Sequence, residues 1–146
     1  MNETTQPLQV YVVEDSPIVL RMLGASIEAT GAEVSGSSAD AGSAISNVFA
    51  TQPDVILIDL HLEHGSGFDL LKALKDHSLA PDAVKVVLTN YAREDYEELC
   101  CRLGADRFFD KTFEAKKCMG LIKSLVEEKR HGLAGRAALE EVGAQQ

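Results

Sequence analysis

The 146-residue sequence predicts a doubly wound α/β domain, (βα)5, built on one open, five-stranded parallel sheet. Three observations predict it. Strand-like and helix-like segments alternate from residue 8 to about residue 129. The strand segments are too apolar to have a solvated face, as expected when helices cover both faces of a parallel sheet. Acidic, hydroxyl and amine side chains recur where those segments end. Five units make an open sheet, whereas a closed barrel needs about eight and a longer chain.

The first strand is Leu8–Val13. Ser16-Pro17 then supplies a helix cap and a favoured first-turn proline. Val19, Met22, Leu23 and Ile27 recur at helical spacing until Gly31 stops the helix. A short strand, Ala32–Gly36, leads to a second helix from about Asp40, with Ile45, Val48 and Phe49 on one side. Pro53 breaks it before the central strand, Asp54–Asp59. Gly65-Ser66-Gly67 opens a third helix carrying Phe68, Leu71 and Leu74, and Pro81 closes the following loop. The strand Val84–Thr89 comes next, then a helix from about Glu94 to Leu103, ended by Gly104. Asp106–Phe109 is the fifth strand. The last helix, from about Glu114 to Glu128, buries Cys118, Leu121, Ile122, Leu125 and Val126. Residues 1–7 read as a lead, 8–129 as the domain, and 130–146 as an appended tail, mobile or a short helix over Arg136–Val142.

Bulk properties bound the function. The 23 acids against 14 bases give a net charge of −9, which argues against direct contact with nucleic acid or an anionic membrane. No stretch approaches the apolar length of a membrane helix, and residues 1–9 lack the basic start and apolar centre of a secretion signal. A cytoplasmic location is the expectation. Cys100, Cys101 and Cys118 show no metal or redox spacing, and adjacent cysteines strain a disulfide, so packed thiols are expected.

The strand ends carry the chemistry. Glu14-Asp15 follows the first strand, Asp59 closes the third, Thr89 the fourth, and Lys111 lies just past the fifth. In open α/β sheets that edge faces the ligand crevice. Three acids, a hydroxyl and an amine there suit phosphoryl handling: carboxylates and phosphate oxygens hold Mg²⁺, and a lysine acts as a point charge.

Taken in order, Glu14-Asp15, Asp59, Gly65-Ser66-Gly67-Phe68-Asp69-Leu70-Leu71, Thr89, Gly104-Ala105-Asp106 and Lys111 resemble the receiver domain of two-component response regulators, across roughly residues 8–128. The resemblance implies a flavodoxin-like receiver fold and a phosphorylation-activated switch. It implies that Asp59 accepts a phosphoryl group from a sensor histidine kinase or a histidine phosphotransfer protein. Mg²⁺ would be held by Asp15, Asp59, the backbone carbonyl of His61 and, through water, Glu14. Thr89 would bond a phosphoryl oxygen, and Lys111 would pair with phosphate or, before transfer, with Asp59. Output would pass through a downstream protein target, with no catalysis beyond the domain's own phosphorylation and dephosphorylation. A homodimer through the fourth-helix face is left open.

The sequence also departs from the family. Thr112 stands where proline usually follows the lysine, and a cis bond before a non-proline costs about 3–4 kcal/mol, so a trans peptide is expected. Asn90 replaces a small residue after Thr89, and Glu63 a frequent proline. His61, Asn90 and Tyr91 occupy positions that in the family tune loss of the phosphoryl group. Phe108 takes the place of the aromatic that moves with Thr89. Against these readings stand a degenerate receiver acting as a phosphorylation-independent interaction module, and a small phosphatase on the same fold. The pair His61 and His64 has a spacing that arises easily by chance, so solvent exposure is expected in place of metal binding. Gly65-Ser66-Gly67 lacks the spacing and lysine of a phosphate-binding loop, and the Glu94–Glu98 run reads as a solvated helix face.

Overall fold

A computed structural model describes residues 6–144. Its elements are β1 Gln9–Val13, α1 Pro17–Ala29, β2 Glu33–Ser38, α2 Ala41–Thr51, β3 Val55–Ile58, α3 Gly67–Asp76, β4 Val84–Thr89, α4 Glu94–Arg102, β5 Arg107–Asp110, α5 Ala115–Arg130 and α6 Gly135–Ala144. The strands form one parallel sheet, as the sequence pattern predicts, and their order is β2-β1-β3-β4-β5. In this order the chain reverses direction across the sheet between β1 and β3, and ligands collect at such a switch point.

Pleating sends alternate residues into two cores. Val10, Val12, Val55, Leu57, Val84, Val86 and Leu88 pack against α1, α5 and α6. On the other face, Tyr11, Val13, Ile56, Ile58 and Val87 pack against α2, α3 and α4. The central strands β3 and β4 are buried at every residue, whereas the edge strands β2 and β5 are mostly half-buried.

Two helix faces differ from the sequence reading. Met22 is 64% exposed and Phe49 60% exposed. The inward row of α1 is Leu20, Leu23 and Ile27, and that of α2 is Ala41, Ala44 and Val48. An i, i+3, i+4 series admits two neighbouring faces, and the small residues of α2 let it approach the sheet closely. The cysteines also divide. Cys100 and Cys118 are buried, and burial pushes their thiols up to about 11 and about 12, while Cys101 is exposed on α4.

Residues 135–144 form α6, which adds Ala138, Leu139 and Val142 to the core beside α5. Its start lies so close to β4's leading loop that a Cβ on Gly135 would clash with the Asp82 carbonyl oxygen. The Arg136 amide donates to that same oxygen at 3.2 Å, and its guanidinium pairs with Asp106.

Candidate functional site

The backbone ladder carries the site residues to one edge. The Asp59 amide donates to the Val13 carbonyl at 3.0 Å, so Asp59 sits beside the residues that follow β1. The Lys111 amide donates to the Thr89 carbonyl at 2.8 Å, which fixes the second half of the site. The Ser16 hydroxyl caps α1 by accepting from the Val19 amide at 3.3 Å, and the Ser16 amide donates to Glu14 Oε2 at 3.1 Å. One short turn therefore both starts the helix and aims a carboxylate.

Past Asp59 the chain makes a close approach. Gly67 N donates to the Leu60 carbonyl at 2.9 Å, and a Cβ on Gly67 would stand 2.6 Å from the Asp59 carbonyl oxygen. Any side chain there would push the strand end that bears Asp59. The Ser66 hydroxyl accepts from the Asp69 amide and begins α3.

Carboxylate oxygens of Glu14, Asp15 and Asp59 lie within 4.8 Å of one another. Lys111 Nζ donates to Glu14 Oε1 at 2.7 Å and to Asp59 Oδ2 at 3.3 Å. Burial pulls the lysine's pKa down, but the Glu14 hydrogen bond and the charges of Asp59 and Glu14 outweigh it, so the net direction is up. Lys111 thus pairs with Glu14 and Asp59, and no ion pair to Asp15 forms among the described residues, so three clustered carboxylates face one ammonium. Like charges about 4 Å apart repel by roughly 4 kcal/mol at an effective dielectric of 20, so the group favours a further cation. An all-oxygen, carboxylate-rich donor set with room for water suits Mg²⁺.

Thr112 does not disturb this arrangement. All described peptide bonds are trans, the one before Thr112 included. Asp110 Oδ1 accepts from the Thr112 and Phe113 amides at 2.8 and 3.0 Å, and Glu114 Oε1 accepts from the Asp110 amide at 2.9 Å. These bonds hold the loop just before α5 in place of a proline.

Residues 10–123 match the response regulator receiver domain. The chain belongs to that family. It is 32% identical over 114 residues to the protein-glutamate methylesterase/protein-glutamine glutaminase of Treponema pallidum, a match covering 76% of this chain and 28% of that protein. To the phosphate regulon transcriptional regulatory protein PhoB of Escherichia coli it is 30% identical over 118 residues, covering 81% of this chain and 51% of PhoB. The chain therefore spans about half or less of these curated relatives. Among solved structures, a response regulator from Burkholderia pseudomallei with a phosphorylated aspartic acid and a calcium ion superposes with a TM-score of 0.70 at 26% identity. That likeness covers 85% of this chain and 71% of the other.

Around the receiver's acidic centre the remaining predicted residues are placed as follows. Thr89 is fully buried, and its hydroxyl oxygen accepts from the Tyr91 amide at 3.2 Å. The His61 amide faces Asp59 Oδ1 at 3.4 Å, and the His61 ring lies 3.9 Å from that of Tyr91, centroid to centroid. Asn90 is exposed, and so are His61 and His64. Phe108 is half-buried against the α2–α3–α4 core and pairs with Val87 across β4 and β5.

Sequence reasoning missed the aromatic rim beyond His61 and Tyr91. Tyr96 lies 6.2 Å from His61 and meets Phe68 edge-on at 5.4 Å. Arg93 stands 5.0 Å from the Tyr96 ring centroid and pairs with Asp95. Tyr96 sits in the acidic run that reads as a solvated face, so only its aromatic character marked it. The Asp110–Glu114 bond carried a clearer signal, an acid four residues before an acid at a helix start.

Proposed function

We propose that this receiver is a phosphorylation-activated signalling switch with Asp59 as the phosphoacceptor. The observation that carries the reading is the gathering of Glu14, Asp15 and Asp59, with Lys111 paired to Glu14 and Asp59. A carboxylate oxygen of Asp59 attacks the phosphorus of a phosphohistidine, the phosphorus–nitrogen bond breaks, and the electron pair leaves with the imidazole of the donor. A sensor histidine kinase or a histidine phosphotransfer protein supplies that group, and a downstream protein target reads the result.

Each neighbour has a part in this step. Lys111 neutralises charge on the incoming group, since an aspartate is a weak nucleophile toward an anion. Thr89 donates its hydroxyl to a phosphoryl oxygen after transfer. Phe108, on the adjacent strand, moves with Thr89 and changes the α4–β5 face that a partner meets. His61 and Tyr91, whose rings meet at 3.9 Å on the loops after Asp59 and Thr89, keep water from the acyl phosphate, and Asn90 adjusts access beside them. Asp15, Asp59 and the His61 carbonyl would hold Mg²⁺, with Glu14 acting through water. The metal would supply charge neutralisation during transfer. Residues 8–129, with α6 packed on them, form the working unit, cytoplasmic, with no substrate turnover of its own.

Intact mass after incubation with acetyl phosphate and Mg²⁺ tests this. One added phosphoryl group is expected, absent in Asp59→Asn. No gain in the unmodified protein, with Mg²⁺ binding verified, would favour an interaction module that works without phosphorylation.

A further inference from the structure

β4 carries a lysine inside its apolar run. Lys85 lies on the same sheet face as Val87 and Thr89, at the opposite end from the acidic site, and is only 9% exposed. Its Nζ donates to the Ala80 carbonyl at 2.6 Å, and among the described residues no carboxylate lies within ion-pair distance. Asp82 and Asp106 act on it only through space, opposed by Arg136, and burial is the largest influence, lowering its pKa. A buried ammonium with one carbonyl partner is costly, because charge leaves water without a counter-charge.

Lys85 borders a cavity of about 220 Å³ between α3 and α4. Leu71, Leu74, Pro81 and Leu103 supply apolar walls, and Lys75 flanks the mouth with its Nζ on the Arg102 carbonyl at 2.6 Å. Two ammonium groups beside apolar walls, on a chain of net charge −9, define a local exception to its acidic surface. Drug-sized ligands fill roughly 300–1,000 Å³, so this space suits a smaller molecule.

We propose that this cavity binds a small monocarboxylate with an apolar body. Its carboxylate pairs with Lys85 and approaches Lys75, and its hydrocarbon part packs on Leu71, Leu74 and Leu103. The site is separate from the acidic centre and does not depend on phosphorylation.

Titration of isotope-labelled protein with sodium hexanoate, followed by backbone amide NMR, tests the proposal. Saturable shifts are expected at Ser78, Lys85, Leu103 and Gly104, with affinity about tenfold weaker for uncharged hexanamide. Lys85→Met, which keeps the side chain's length, is expected to weaken hexanoate to the same extent while its urea midpoint stays level or rises. Equal affinity for hexanamide, equal binding by Lys85→Met, shifts scattered over surface lysines, or no saturable shift would each overturn it.

Discussion

At the edge where the strands begin, Asp54 accepts from the Gln9 amide and from Lys129 Nζ, both at 2.8 Å. Asp106 accepts from the Lys85 amide at 2.9 Å and pairs with Arg136. Asp54 and Asp106 thus each have one backbone donor and one cation of their own. At the edge where the strands end, Glu14, Asp15 and Asp59 cluster beside one cation, Lys111, which pairs with Glu14 and Asp59 only. Three negative charges against one positive leave two uncompensated. The first edge is built to be finished and the second to be completed by something else. Carboxylates of the same kind serve stability where they are balanced and chemistry where they are not.

That contrast can be broken at either edge. Asp54→Ala strands a half-buried lysine and an amide, and should cost about 3 kcal/mol in urea unfolding with no change in Mg²⁺ affinity by calorimetry. Lys111→Met removes the shared cation. It should destabilise the metal-free protein by about 2 kcal/mol, yet strengthen Mg²⁺ binding, since the acids then lack their one cation. A weakened Mg²⁺ interaction in Lys111→Met would show that the acids are not short of positive charge.

Asp15→Asn should act in the opposite sense from a typical site substitution. Relief of repulsion should raise metal-free stability by about 1 kcal/mol, and saturating Mg²⁺ should reverse the ranking. The smallest effect concerns pH. Lys111 has a folded pKa above its ordinary value of 10.5, so its ion pairs stabilise fully below that value and fade as pH rises through the folded one. Stability measured from neutral pH to just under that range should therefore show no loss that Lys111→Met removes.

The site was more legible than its supports. Glu14, Asp15, Asp59, Thr89 and Lys111 each end or follow an apolar run, and the alternation of strands and helices dictates that such ends meet. By contrast, Asp54 and Asp106 begin their strands, and nothing local distinguishes an acid that will be satisfied from one that will not. The helix-prone patch Arg136–Val142 gave no hint of where it would pack, because its docking depends on an approach to Asp82 from far along the chain. Met22 and Phe49 were drawn inward by spacing alone, which cannot weigh their size against the small residues beside them.

The chain has no tryptophan and three tyrosines. Tyr11 is locked in the core, bonded to Ser38 and accepting from Asn47 at 3.0 Å. Tyr91 and Tyr96 both belong to the rim beside His61. The molecule thus carries an optical reporter of its own. Two of its three ultraviolet chromophores sit where ion binding and phosphoryl transfer would alter the surroundings, while the third supplies an internal reference, so unlabelled protein can be followed spectroscopically in real time.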